Sequence, residues 1–128
     1  MKTFAQMHKA LSEEIRLRIV MLLMQGELCV CDLMSIFEEP QSKISRHLAY
    51  LKHSGLVQSR RDGAWMHYVL KEPLDEPWRD QIKFMKEKLF HLPSIRQDRD
   101  TLMALKKQGS CQAEKASKKN PMEKNRMT

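Results

Sequence analysis

The stretch PQSKISRHLAYLKHSG, residues 40–55, decides the fold. Its first residue, a proline, breaks the preceding chain and can begin a helix, and its last residue, a glycine, closes that helix. Ile44, Leu48 and Leu51 recur at i, i+4 and i+7, which predicts one apolar helix face turned towards a core. The other face is polar and cationic, which is typical of a helix that lies in the major groove of DNA.

The polar face of this helix offers amide, hydroxyl and cationic groups, which can bond base edges and phosphates. Its members are Gln41, Ser42, Lys43, Ser45, Arg46, His47 and Tyr50. A polar helix face is usually just solvated. Here, however, residues 40–71 carry six cationic side chains against one acidic one, and the whole chain has a net charge of +7. A basic block inside a folded region favours a polyanionic partner, so the sequence predicts binding to double-stranded DNA.

After this helix the sequence period changes to that of strands. Two runs rich in β-formers, residues 56–60 and 65–70, are joined by a segment that contains an Asp-Gly pair. Such a pair is a hairpin signal, because glycine supplies the positive φ of a tight turn. Arg60 and Arg61 lie near the predicted tip, where they can contact phosphates or an adjacent minor groove.

The remaining periodic segments are helical. With the polar helix, the predicted helices cover residues 3–11, 13–25, 29–37, 41–54, 78–92 and 93–107, and Ser12 is expected to cap the second. This order predicts a mainly α-helical fold with a β-hairpin wing, a winged helix-turn-helix, in one domain over residues 1–107. Residues 108–128 are basic and poor in apolar side chains, and we expect a disordered tail.

The outer helices carry apolar stripes that a domain of this size cannot fully cover. These candidate dimer-interface residues are Phe4, Met7, Leu11, Trp78, Ile82, Met85 and Leu89. Core packing is the alternative for each of them. For the stripes together we expect a homodimer, because a two-fold dimer can contact two half-sites about one DNA turn apart.

The stretch ELCVCDL, residues 27–33, holds two closely spaced cysteines. Paired thiolates suit a soft ion, and we therefore predict a metal or metalloid site at Cys29 and Cys31. In an ideal helix, residues two apart lie about 200° apart around the axis. Because the third predicted helix, residues 29–37, contains both cysteines, binding one ion should unwind or rotate that helix and so weaken DNA binding. The alternative is that the cysteines are inert core residues.

These cysteines, with residues 42–48 and 62–68, resemble the ArsR family of metal- and metalloid-responsive repressors, and most closely its arsenite-sensing members. The resemblance covers residues 4–92. It implies a dimeric winged helix that binds an inverted-repeat operator and dissociates when arsenite or antimonite binds Cys29 and Cys31. It also implies that Ser45 and His47 correspond to the family's recognition-helix serine and histidine.

One position departs from that family pattern. Met34 stands where the arsenite sensors usually carry a third cysteine. Either two thiolates suffice, or Cys111 in the predicted tail is a third ligand, while Met34 is a core residue. A thioether is also compatible with Cu(I), and Cu(I), Cd or Pb remain alternative ions.

Other classes of protein fit the sequence less well. The cysteine spacing differs from that of thioredoxin-type redox enzymes, and no catalytic constellation stands out, so we expect neither an enzyme nor a catalytic cofactor. No apolar run approaches the roughly 18 residues of a membrane span, and no signal peptide is evident, which predicts a cytoplasmic protein with no membrane partner. A DNA-binding protein that ignores ligands remains open.

Overall fold

The structure is a computed structural model that describes residues 1–108. Over these residues the helices are α1 (Lys2–Ala10), α2 (Glu14–Leu23), α3 (Val30–Phe37), α4 (Gln41–His53), α5 (Glu76–Leu89) and α6 (Pro93–Lys107). The strands are β1 (Leu28–Cys29), β2 (Val57–Asp62) and β3 (Trp65–Leu70). This confirms the predicted mainly helical winged helix-turn-helix.

The apolar stripe of α4 lies in the centre of the core. Ile44, Leu48 and Leu51 are each fully buried, and α4 packs against α2 and α3. The i, i+4, i+7 spacing places these side chains on one face, so that burying them leaves the opposite face of α4 at the surface.

The wing is the hairpin β2–β3, and its turn follows the sequence signal. Gly63 has φ +68, the positive value expected there. Asp62 pairs with Trp65 across the turn. The sheet has the order β1-β3-β2, so the wing gains a third strand that the sequence did not predict. With only two residues, β1 is too short to show a strand period.

The predicted starts of α2 and α3 were wrong. Glu13, not Ser12, is the N-cap of α2, and the Ser12 hydroxyl instead donates a hydrogen bond to the Lys9 carbonyl (2.7 Å). Helix α3 begins at Val30, because Cys29 has extended backbone angles and belongs to β1.

Helix α6 packs against α2 and α3. Arg18 of α2 donates two hydrogen bonds to Asp98 of α6, Nε to Oδ2 at 2.8 Å and Nη2 to Oδ1 at 2.7 Å. Among residues 1–108, no helix is long and apolar enough to cross a membrane. Residues 109–128, which include Cys111 and most of the predicted tail, lie outside the described residues, and the domain boundary stays a prediction.

Candidate sensor site and nucleic-acid interface

The two candidate sensor cysteines, Cys29 and Cys31, meet where β1 passes into α3. Cys29 ends the strand and is the N-cap of the helix, with φ −92 and ψ 162, and Cys31 is the second helical residue. Their Sγ atoms are 2.6 Å apart, and both side chains are buried. The premise that the two sulfurs lie on nearly opposite sides of α3 was therefore wrong. The extended conformation of Cys29 turns its sulfur towards Cys31 while the helix stays regular.

Asp32 joins the cysteines through the cap of α3. Its Oδ2 accepts a hydrogen bond from the Cys29 backbone N–H at 3.4 Å and lies 3.4 Å from the Cys29 sulfur. Asp32 is 2% exposed, and its Oδ1 has no hydrogen-bond partner among residues 1–108. Candidate ligand atoms of Cys29, Cys31 and Asp32 all lie within 4.8 Å of one another. Sequence reasoning missed Asp32, although an acidic residue three positions after an N-cap is a helix-start signal.

Strand β1, which ends at Cys29, belongs to the same sheet as the two strands of the wing. Cys29 pairs with His67 of β3, and Leu28 pairs with Tyr68. Next to them, Glu27 accepts two hydrogen bonds from Arg60 of β2, Nε to Oε1 at 2.8 Å and Nη2 to Oε2 at 2.7 Å. This contact with Arg60 lowers the pKa of Glu27. Arg60, a predicted DNA contact, therefore lies against Glu27, the residue that precedes β1.

The predicted DNA-contacting residues of α4 fall into an accessible group and a buried or covered group. Those at the surface or half-buried are Gln41, Ser42, Lys43, Ser45 and Arg46. Arg61, at the end of the wing, is exposed as well. Lys43 also forms an ion pair with Glu39, with its Nζ 3.1 Å from Oε1. These side chains remain available to a nucleic acid.

His47 does not belong to that surface, which corrects the prediction of a direct DNA contact. It is 3% exposed, and its Nδ1 lies 3.4 Å from Nη1 of Arg16. Burial lowers the His47 pKa. Tyr50 is 39% exposed, but its ring lies under the Arg16 guanidinium, 4.3 Å from the ring centroid. His47 therefore lies in the interior and links α4 to α2 through Arg16.

Most of the predicted dimer-interface residues are buried within the single chain, as the alternative of core packing expected, and the interface itself stays a prediction. Met7, Trp78, Ile82 and Met85 are at most 7% exposed. The Trp78 indole donates a hydrogen bond to the Ser54 carbonyl at 3.1 Å. Leu11 and Leu89 are half-buried, packed against the core. Phe4 alone of the set is exposed, at 49%.

Comparison with known proteins adds the family context. A family model described as bacterial regulatory protein, arsR family, matches residues 13–59. The arsenical resistance operon repressor of Escherichia coli is 48% identical over 83 residues, which are 58% of this chain and 71% of that protein. A homologue of the cadmium resistance transcriptional regulatory protein CadC from Staphylococcus aureus is 36% identical over 87 residues, 67% of this chain and 66% of its own length.

Among solved structures, the chain is similar to a homodimeric winged helix-turn-helix DNA-binding domain from Mycobacterium bovis. The TM-score is 0.59 at 29% sequence identity, over 71% of this chain and 82% of that one. The agreement supports the fold and includes a relative that is a dimer.

Proposed function

The chain belongs to the ArsR family of bacterial regulatory proteins, and on that premise we propose that it is a transcriptional repressor that leaves its operator when arsenite binds Cys29 and Cys31. One observation carries the proposal: the two sulfurs converge at the start of α3, 2.6 Å apart. The protein would act by binding and not by catalysis, in the cytoplasm, where its operator and reduced thiols are found.

Arsenite suits this pair because sulfur ligands favour soft, polarisable centres. When As(OH)₃ binds, each thiol forms an As–S bond, and its proton leaves with an arsenic hydroxyl as water. Antimonite would react in the same way. The buried carboxylate of Asp32, 3.4 Å from the Cys29 sulfur, is positioned to contact the ion. Cys111, outside the described residues, remains a candidate third ligand.

The position of Cys29 suggests how the ion affects DNA binding. An ion bonded to both sulfurs would move them from their present separation of 2.6 Å. That movement would act at once on β1, which pairs with β3 of the wing, and on α3, which packs against α4. If the operator favours the undistorted arrangement, ion binding and DNA binding oppose each other reciprocally.

The DNA-binding surface that we propose consists of the accessible polar side chains of α4 and the wing. Its members are Gln41, Ser42, Lys43, Ser45, Arg46, Arg60 and Arg61. Their net positive charge suits phosphates, and the amide and hydroxyl groups suit base edges.

We also propose a homodimer, as in the relative from Mycobacterium bovis. Phe4 of α1 and Phe84 of α5 are 49% and 53% exposed, and a partner chain would cover such large apolar side chains.

Cadmium is a second candidate inducer, because a relative named for cadmium resistance is 36% identical. Two thiolates with a carboxylate would suit a divalent ion, whereas arsenite needs only sulfur. Titrating arsenite and cadmium against the same protein–DNA complex distinguishes the two candidate inducers.

The test is fluorescence anisotropy of the full chain on DNA from upstream of its own gene, titrated with arsenite at fixed salt and with a thiol-free reductant. We expect arsenite to weaken operator binding by about 5- to 150-fold, the usual range of allosteric coupling. Cys29→Ser and Cys31→Ser should each retain DNA affinity and lose this response.

Cys111→Ser is the matched control, because it makes the same change at the remaining cysteine of the chain. An unchanged response in this variant leaves Cys29 and Cys31 as the sufficient pair, and a lost response adds Cys111 to the site. A full arsenite response in Cys29→Ser or Cys31→Ser would contradict the proposal, as would the absence of specific DNA binding.

A further inference from the structure

A cavity of about 330 Å³ lies between the end of α2, the end of β3 and α5. Its volume is at the lower end of the range of pockets that bind small organic ligands. We call it the α5 pocket. The residues of its lining on which the argument depends are Leu23, Leu70, Lys71, Leu74, Ile82 and Lys86.

The walls of the α5 pocket that belong to the core are apolar. Leu23 and Ile82 are 2% and 7% exposed, and Leu70 and Leu74 are partly buried against the same core. A ligand group in contact with these side chains is removed from water, which favours an apolar group. A wholly polar ligand would gain nothing from this part of the lining.

Two lysines border these apolar walls, each from a different element. Lys71 follows β3, where its backbone N–H donates a hydrogen bond to the Leu56 carbonyl at 2.9 Å. Lys86 lies one turn after Ile82 on α5, so both face the α5 pocket. Among residues 1–108, neither ammonium group forms an ion pair. Both ammonium groups are therefore available to an anion.

The charge of the lining favours an anion with a single negative charge. The other charged residue there is Glu72, so two lysines face one carboxylate. The end of α2 also borders the α5 pocket, and helix carbonyls repel anions. That repulsion is reduced here, because the carbonyls of Leu22 and Leu23 accept hydrogen bonds from the backbone N–H groups of Gln25 and Gly26.

We propose that the α5 pocket binds a small organic carboxylate with an apolar body, such as an aromatic acid. The apolar body lies against Leu23, Leu74 and Ile82, and the carboxylate lies between Lys71 and Lys86. Burial of the ring supplies affinity, and the two ammonium groups select the charged form over a neutral analogue.

The α5 pocket is separate from the cysteine pair and from the proposed dimer surface. Cys29 pairs with His67, and Lys71 is four residues further along the chain, about 13 Å at 3.3 Å per residue. On α5, Phe84 is 53% exposed and lies about 200° around the axis from Ile82. A second chain over Phe84 therefore leaves the α5 pocket open.

The experiment compares naphthalene-2-carboxylate with naphthalene-2-carboxamide, which has the same ring system and no charge. Isothermal titration calorimetry of the full chain at fixed low salt measures both dissociation constants, because salt screens the contacts of the carboxylate. We expect saturable binding of one carboxylate per chain, about fivefold or more tighter than binding of the carboxamide.

Two lysine variants test the location of the carboxylate. Lys71→Gln and Lys86→Gln should each weaken binding of naphthalene-2-carboxylate by about threefold or more and leave carboxamide binding unchanged. Lys88→Gln is the matched control, because it removes the same charge from an exposed position about 200° around α5 from Lys86. It should retain the preference for the carboxylate, which separates a local contact from the general attraction of a basic protein.

A third variant tests the location of the ring. Leu74→Ala removes part of an apolar wall and should weaken binding of both compounds by a similar factor, about threefold or more. Leu92→Ala makes the same change at an exposed residue outside the α5 pocket and should bind as the unchanged protein does. Far-UV circular dichroism checks that each variant is folded.

Equal affinities for the carboxylate and the carboxamide would overturn the inference, as would binding that does not saturate. Equal losses in Lys86→Gln and Lys88→Gln would overturn it as well. Cys29→Ser should bind naphthalene-2-carboxylate unchanged, so this inference and the proposed role of the cysteine pair succeed or fail independently.

Discussion

Two arginine–carboxylate pairs in this protein have the same geometry and different surroundings. Arg18 donates two hydrogen bonds to Asp98 at 2.8 and 2.7 Å, and Arg60 donates two to Glu27 at the same distances. The side chains of the first pair are 28% and 5% exposed, and those of the second are 55% and 29% exposed.

The difference in burial implies different roles. Asp98 is enclosed between α6 and α2, and the Arg18 guanidinium also lies over the Phe37 ring at 4.8 Å. Removing one member of a buried ion pair destabilises the fold strongly, because the other charge stays buried without a partner. Water and salt screen the pair between Glu27 and Arg60, so it can exchange partners cheaply. Pairs with equal hydrogen-bond lengths therefore differ in role: the pair of Arg18 and Asp98 is structural, and the pair of Arg60 and Glu27 on the wing can be replaced.

The largest expected effect is the loss of the buried pair. Asp98→Asn leaves the Arg18 charge without its carboxylate partner, and we expect the free energy of unfolding to fall by about 2–3 kcal/mol, less than for a fully buried pair because Arg18 is partly exposed. Urea denaturation measures the loss. Asp100→Asn makes the same change at an exposed position of α6 and should have little effect; equal losses in the two variants would remove the distinction between the pairs.

A smaller effect concerns a third arginine, Arg16, whose partner is the neutral ring of His47. Burial lowers the pKa of His47, and the nearby charges belong to Glu13, Arg16, Lys43 and Arg46. Below its ordinary pKa of about 6.5 the unfolded chain binds a proton that the folded chain still excludes. The free energy of unfolding should therefore be highest at pH 7–8. It should fall as the pH drops from the His47 pKa of the unfolded chain towards the lower His47 pKa of the folded chain.

Urea unfolding between pH 8 and pH 5.5 tests this dependence. His47→Asn keeps an acceptor for Arg16 and cannot take up the proton, so its stability should depend less steeply on pH. His53→Asn, at an exposed position of the same helix, should retain the slope of the unchanged protein. If stability depends on pH equally in the unchanged protein, His47→Asn and His53→Asn, then a group other than His47 causes the pH dependence.

The smallest effect on stability is expected at the exposed pair. Glu27→Gln should leave the urea midpoint unchanged within error, yet it releases Arg60 for a DNA phosphate. Operator affinity at low salt should rise, and the slope of log affinity against log salt should steepen by about one unit. Glu87→Gln on α5 makes the same charge change at another exposed position and should steepen the slope less. A large loss of stability in Glu27→Gln would contradict the comparison.

Local patterns were enough to predict much of the fold. The spacing of Ile44, Leu48 and Leu51 identified the buried face of α4, and the Asp-Gly pair identified the wing turn. Both signals work because helix periodicity and turn geometry depend on residues close together in the chain. The positions of the two cysteines in the chain were likewise enough to suggest a soft-ion site.

The errors concern contacts between distant segments. His47 borders the apolar face of α4 in a helical projection, next to Leu51, and its partner in the interior is Arg16, 31 positions earlier. The stripe of Trp78, Ile82 and Met85 was correctly placed on one helix face. Whether a second chain or the same chain covers that face cannot be read from periodicity.

The sequence by itself determined the order of the helices, the hairpin, the basic character of α4 and the family of the protein, because each depends on local residue pattern or on similarity along the chain. Only the tertiary structure decided that Cys29 is extended, since its conformation follows from pairing with His67 of β3. The tertiary structure also decided which arginine is buried with its carboxylate and which is exposed on the wing. Burial depends on what packs against a side chain from elsewhere in the fold, and that burial sets the energy of the contact.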